Sequence, residues 1–233
     1  MTIEGQLSAV KQRIQAAALA SGRKPDEVTL VAVSKKQPAA AIRQAYAAGQ
    51  RDFGENYVQE LVQKAEELRD LPELCWHFIG HLQRNKARFV APLAALVHTV
   101  DTAELASELA KRFVAVPGTE GKQLSVLVEV SIAGEEQKHG AAPSELGALL
   151  DAIDALPALA LRGLMCVPPL TADPADARPH FDALRALRDR HGGPARLPEL
   201  SMGMTQDLEH AVAAGASLVR VGTAIFGARA AQG

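Results

Sequence analysis

An amine, a guanidinium and two glycine–hydroxyl turns are the groups in this chain whose types and positions suit chemistry. Lys35 ends the apolar run Val28-Thr29-Leu30-Val31-Ala32-Val33-Ser34. In water a lysine titrates at about 10.4 and is a poor nucleophile at neutral pH. Desolvation and a neighbouring cation lower that value and expose the lone pair, so the amine can attack an aldehyde. Lys36 and Arg220 are the cations available for this. The plain alternative is a lysine that stretches from a strand end into solvent.

Two turns near the C-terminus, Ser201-Met202-Gly203-Met204-Thr205 and Gly222-Thr223-Ala224, each combine a hydroxyl, a glycine and a helix start. Such loops bind phosphate when they follow the seventh and eighth strands of a barrel. Arg220 precedes Gly222 by two residues and so shares its side of the strand, with Val219 and Val221 on the other. A buried arginine needs a partner. A structural ion pair would serve, and so would the ring nitrogen of a bound pyridine, which a permanently protonated arginine would keep unprotonated.

Other chemistries lack their patterns. His77 and His81 are four apart across a strand end, and no H-E-x-x-H or Cys/His spacing occurs, so no metal site is expected. No serine lies in G-x-S-x-G. Cys75 and Cys166 are far apart, as expected of free thiols in a reducing compartment. The net charge of −2, without a basic block, argues against nucleic acid as principal partner. The N-terminal residues lack the form of a signal peptide and no apolar run spans a bilayer, so a cytoplasmic protein without membrane association is expected.

The elements that must position these groups alternate. Strand-like runs cover Val28–Ser34, Asp52–Gly54, Trp76–Gly80, Leu96–Val100, Leu124–Ile132, Leu161–Cys166, Leu200–Met202 and Leu218–Val221. Helical patterns follow them at Pro38–Ala48, Tyr57–Arg69, Gln83–Phe89, Thr102–Phe113, Pro143–Leu156, Ala175–His191 and Thr205–Ala214. Ile3, Leu7, Val10 and Ile14 give an extra amphipathic helix in front. With 233 residues and no composition break, one α/β domain over residues 1–233 is expected, a (β/α)8 TIM barrel. An open doubly wound sheet is the alternative. Against it, the loop after the first strand reads Ser34-Lys35-Lys36-Gln37-Pro38 and holds no glycine. Barrel chemistry belongs to the C-terminal strand ends, which selects Lys35, Asn56, His81, Gln83, Ser201, Gly203, Gly222 and Thr223.

These segments together resemble the pyridoxal phosphate homeostasis proteins. The resemblance rests on Val31-Ala32-Val33-Ser34-Lys35, Phe53-Gly54-Glu55-Asn56-Tyr57-Val58-Gln59-Glu60, His77 to Lys86 and Arg220 to Arg229, with Leu161 to Met165 and Leu200 to Met204. It implies a barrel similar to the N-terminal domain of alanine racemase, with pyridoxal 5′-phosphate (PLP) held as a covalent imine to Lys35. It further implies that Arg220 faces the ring nitrogen and that Asn56 lies beside the ring. Ser201, Gly203, Gly222 and Thr223 would hold the phosphate, with Met165 packed near the cofactor. Lys138 matches a family lysine connected with cofactor transfer. Thr205 and Leu208 depart from the usual serine and methionine, and the threonine keeps the hydroxyl.

The family implies a carrier that holds PLP and delivers it to apo-enzymes, acting in vitamin B6 homeostasis. A PLP-dependent amino-acid racemase is the alternative, and a protein in which the cofactor is regulatory is a third. Racemisation needs proton delivery on both faces of the substrate. Alanine racemases obtain it from a tyrosine of a second domain, for which the residues after the eighth strand are too few. Only Tyr46 and Tyr57 occur, the first in a helical pattern. A non-catalytic carrier, expected to be a monomer, is therefore the reading.

Overall fold

Short runs rich in valine and leucine, each flanked by a turn and a helical segment, form a parallel sheet that closes on itself. The computed structural model describes residues 2–133, 139–169 and 171–227. Its strands are β1 (Thr29–Val33), β2 (Asp52–Glu55), β3 (Cys75–Phe78), β4 (Leu96–Val100), β5 (Leu124–Glu129), β6 (Leu159–Met165), β7 (Glu199–Ser201) and β8 (Leu218–Val221). They pair in sequence order, and β8 returns to β1 with Arg220 beside Val31 and Val221 beside Ala32. This is the (β/α)8 barrel, and the closure rules out the open sheet.

The helices are α1 (Ile3–Ala20), α2 (Ala39–Ala47), α3 (Val58–Glu67), α4 (Ala87–Val90), α5 (Ala103–Val114), α6 (Leu146–Asp154), α7 (Arg178–Arg190), α8 (Gly193–Arg196), α9 (Leu208–Ala213) and α10 (Thr223–Phe226). Their apolar stripes pack on the outward residues of the strands, where Ala32, Phe53, Phe78, Val97, Val126, Val128, Val219 and Val221 are buried in one continuous core. A second, smaller cluster of Val31, Leu96, Leu127, Met165 and Leu218 fills the inner face. The strand period of two sends alternate residues to the two layers, so Arg220 points inward with Val31 and Leu218.

The extra helix α1 has Leu7, Val10, Ile14, Ala17 and Ala18 buried, with the Thr2 hydroxyl capping it by accepting from the Gly5 N–H. It lies against α9 and α10. Its Arg13 donates to both carboxylate oxygens of Glu209 at 2.7 and 2.9 Å and to the Thr205 carbonyl at 2.9 Å. The helix therefore braces the loop after β7.

Several elements are shorter than their patterns. The helix expected from Thr205 begins at Leu208 because the Asp207 carboxylate accepts the Met204 N–H and holds residues 204–207 as a turn. Strand β5 ends at Glu129, beyond which Val130 bridges to Ala141. The short helices α8 and α10 carry no long apolar period, and periodicity does not foresee them. Among the described residues no helix is long and apolar enough to cross a membrane.

Candidate functional site

A cavity of about 470 Å³ opens at the C-terminal ends of the strands, where Lys35, Asn56, Thr205, Arg220, Gly222 and Thr223 share one wall system with Val33, Ile79 and Met204. Five of the eight residues selected from the sequence for cofactor binding thus line a single space. Met165, Ser201 and Gly203 lie behind it. Met165 belongs to the small inner core, and Ser201 is wholly buried. Gly203 has φ +90°, and a Cβ there would sit 2.4 Å from the Ala211 Cβ, so only glycine permits α9 to pack this closely. Lys138 lies outside the described residues.

Lys35 sits in a turn held from below by a buried ionic network that motif reading passed over. The Lys64 ammonium of α3 donates to the Ser34 carbonyl, the Glu55 carboxylate and the Glu60 carboxylate, each at 2.7 Å. Ser34 Oγ donates to the same Glu55 oxygen at 2.7 Å, and the Lys36 N–H donates to Glu60 at 2.7 Å. Lys36 is the one non-glycine residue with positive φ (59°) among the described residues. The network is thus holding a backbone that L-residues seldom adopt. Burial pushes the Glu55 carboxyl upward, opposed by Lys64 and Ser34. The i, i+4 spacing of Glu60 and Lys64 on one helix face was the available sequence signal.

In the same cavity wall the Thr205 and Thr223 hydroxyls are 3.2 Å apart. A Cβ on Gly222 would lie 3.1 Å from the Val33 carbonyl, so glycine lets the exit of β8 run against that of β1. Thr205 replaces Ser201 as the hydroxyl that reaches the cavity from the loop after β7. In sequence the two hydroxyls are equivalent candidates, and the direction each takes is decided by the strand's end.

Arg220 reaches the cavity from inside the barrel. Its guanidinium donates to Ser201 Oγ at 2.6 Å and to the Cys166 carbonyl at 3.0 Å. Both partners are neutral, so the ion-pair alternative gives way to hydrogen bonds that leave further N–H groups of the fork. Burial lowers its pKa, with Cys166, Glu129 and Asp207 opposing. The Glu129 carboxyl, at the end of β5, is raised to about 7 by burial and by Asp101, against the pull of Arg220. Burial takes the Cys166 thiol up to about 12, so it stays a neutral thiol.

Of the two remaining strand-end residues, neither His81 nor Gln83 lines the cavity. His81 stacks on His139 with ring centres 3.5 Å apart and planes at 9°, near Asp101. These three offer ligand atoms within 4.8 Å of one another. Face-to-face stacking places the two imidazole lone pairs in parallel planes, where they do not converge on one ion.

The residues present fit a small aromatic aldehyde bearing a phosphate. An amine, a buried guanidinium, and paired hydroxyls with a glycine turn line the one cavity. Asn56 Oδ1 is buried there without a hydrogen-bond partner among the described residues, an arrangement that a ligand donor would relieve.

Comparison with known proteins agrees with this geometry. The family model for the alanine racemase N-terminal domain matches residues 6–230. A pyridoxal phosphate homeostasis protein of Pseudomonas aeruginosa is 49% identical over 98% of this chain and 96% of its own length. The protein of the same name from Escherichia coli is 44% identical over 97% of each chain. Among solved structures, PipY of Synechococcus elongatus with PLP bound superposes with a TM-score of 0.80 at 40% identity, covering 97% of this chain and all (100%) of its own. An alanine racemase of Corynebacterium glutamicum shares the fold at TM-score 0.64 and 18% identity, over 95% of this chain and 62% of its own. On fold, site and full-length similarity together, the chain belongs to the pyridoxal phosphate homeostasis proteins, within the alanine racemase N-terminal domain family.

Proposed function

We propose that this protein holds PLP in the barrel mouth as a Schiff base on Lys35 and delivers it to apo-enzymes, without turning over a substrate of its own. The observation that carries the reading is the single cavity lined at once by Lys35, Asn56, Arg220, Gly222 and Thr223. The PLP-bound relative supports the choice of ligand. When bound, the cofactor supplies an electrophilic aldehyde carbon and a pyridine ring.

The chain's own groups then divide the work. Lys35 provides the amine, and its turn is fixed by Lys64 and Glu60. Arg220 directs guanidinium N–H groups at the ring nitrogen and, being always protonated, keeps that nitrogen without a proton. Asn56 lies beside the ring. Gly222 and Thr223, with Thr205, hold the phosphate. Ser201, Gly203 and Met165 act from behind the wall: Ser201 and the Gly203 carbonyl accept from Arg220, and Met165 fills the floor.

The carrier reading is favoured over a racemase by the composition of the wall. Among the described residues it contains neither tyrosine nor histidine, and its one carboxylate, Asp207, is engaged by the Met204 N–H. A second face for proton delivery is thus not provided.

Borohydride reduction of the PLP-loaded protein followed by peptide mass spectrometry tests the assignment. A single pyridoxyl adduct on Lys35 is expected, with loss of the visible imine band in Lys35→Ala. An adduct on another lysine, or an undiminished band in that variant, would overturn it. Delivery is tested separately, by asking whether the loaded protein activates an apo-enzyme faster than it releases PLP to solution. Activation no faster than release would reject direct transfer.

A further inference from the structure

Below the cavity, inside the barrel, four polar side chains from four strands form one continuous line that ends on Arg220. Asp52 Oδ1 is 3.0 Å from His77 Nε2, and His77 Nδ1 is 2.9 Å from His98 Nε2. His98 Nδ1 is 2.9 Å from Ser201 Oγ, which accepts from Arg220 at 2.6 Å. His98 and Ser201 are wholly buried and His77 nearly so. Asp52 begins β2 at the opposite end of the barrel from the cavity, with its side chain 30% exposed, in the wall of a second opening of about 450 Å³.

The donors can be counted from one end. A guanidinium only donates, so Ser201 Oγ accepts from Arg220, and its single O–H must go to His98 Nδ1. His98 then carries its proton on Nε2 and donates to His77 Nδ1. His77 in turn carries its proton on Nε2 and donates to the Asp52 carboxylate. The reverse order would leave the Ser201 proton without an acceptor and set a bare imidazole nitrogen against a carboxylate. Only one polarity satisfies every group, and it keeps both histidines neutral. Burial, His77 and Arg220 hold the His98 imidazole well below its ordinary range, in agreement.

Resting on the reading that Arg220 meets the cofactor ring, we propose that Asp52, His77, His98 and Ser201 are positioning residues, a one-directional hydrogen-bond chain that aims the guanidinium at the cavity. A carboxylate in direct contact would take two N–H groups in a bidentate pair and neutralise the charge on the spot. Neutral acceptors instead fix the fork and leave donors for the ring. The carboxylates nearest in effect, Glu129 and Asp207, act on Arg220 through space, while Asp52 anchors the far end of the line through aligned dipoles. Because an arginine ends the line, it orients rather than transports protons.

Long-range ¹H–¹⁵N spectra of the cofactor-free protein read the tautomers directly, without reference to PLP. His77 and His98 are both expected as neutral Nε2–H forms. A protonated ring or an Nδ1–H form at neutral pH would overturn the chain whatever the cofactor does. In the loaded protein, Asp52→Ala should shift the visible band and speed PLP release roughly three- to tenfold, the loss of about one hydrogen bond. Asp52→Asn, which keeps an acceptor, should restore both. Unchanged band and release in Asp52→Ala, with the tautomers as expected, would reduce the line to a structural role and reject the proposal. Arg220→Lys separates the two readings, since a spectrum indifferent to that change would sink the ring contact itself. Asp52 is partly exposed, so its two variants should keep the parent's melting temperature, which the same samples check.

Discussion

At the scale of single residues, the chemistry depends on where burial leaves charge. Glu129 is the clearest case, with its carboxyl raised from 4.5 to about 7. The folded state therefore favours the protonated form. Its contribution to stability is fully present below the unfolded value of 4.5 and is lost as pH rises through about 7, worth roughly 3 kcal/mol at most. Thermal unfolding of the cofactor-free protein at pH 5 and pH 8 should differ from that of Glu129→Gln, in which this part of the pH dependence disappears. Identical pH dependence in the two proteins would show that Glu129 titrates normally. Lys35 is the residue-scale counterpart: in Lys35→Ala the imine band should vanish, read from the visible spectrum of the PLP-treated variant.

At the scale of elements, α3 and α1 brace the site without lining the cavity. Lys64 of α3 is 6% exposed and compensates Glu55, which is wholly buried. Lys64→Met leaves that carboxylate without its counter-charge in the interior and should cost about 3–5 kcal/mol, read as a lowered denaturation midpoint. The same change removes the donor to the Ser34 carbonyl and should weaken retention of PLP beyond the stability loss. Arg13 of α1 differs in kind. Its ion pair with Glu209 is part exposed, so Arg13→Ala should cost under about 1 kcal/mol. The variant also loses the bond to the Thr205 carbonyl, so PLP release should quicken while the melting temperature moves little. Equal retention of PLP in Arg13→Ala and the parent would separate α1 from the site.

At the scale of the whole molecule, the closed barrel makes a rigid frame, because no strand edge is left open between β1 and β8. A ligand bound only by the folded frame stabilises it by mass action. PLP at about a hundred times its Kd should add roughly 2.7 kcal/mol, seen as a raised melting temperature that Lys35→Ala largely loses. Incubation of the loaded protein with L- or D-alanine should leave chirality unchanged over hours. Rapid racemisation, followed by polarimetry or chiral chromatography, would overturn the carrier reading in favour of catalysis.

The sequence by itself determined the layer structure and the order of its elements. Eight apolar runs separated by helical periods leave few ways to bury their hydrophobic faces, and the glycine-free loop at Lys35 argues against the open alternative. It also determined that Lys35, Arg220, Gly222 and Thr223 occupy strand ends, because the βα unit places them there. Tertiary structure alone decided which hydroxyl of the Ser201–Thr205 loop faces the cavity, since a single turn about Asp207 redirects the chain. It alone brought Lys64 under Ser34, and Asp52, His77, His98 and Ser201 into line behind Arg220. Those contacts join residues on different strands and helices, at distances fixed by barrel closure. Local spacing encodes the face on which a side chain stands, and only closure sets what it meets there.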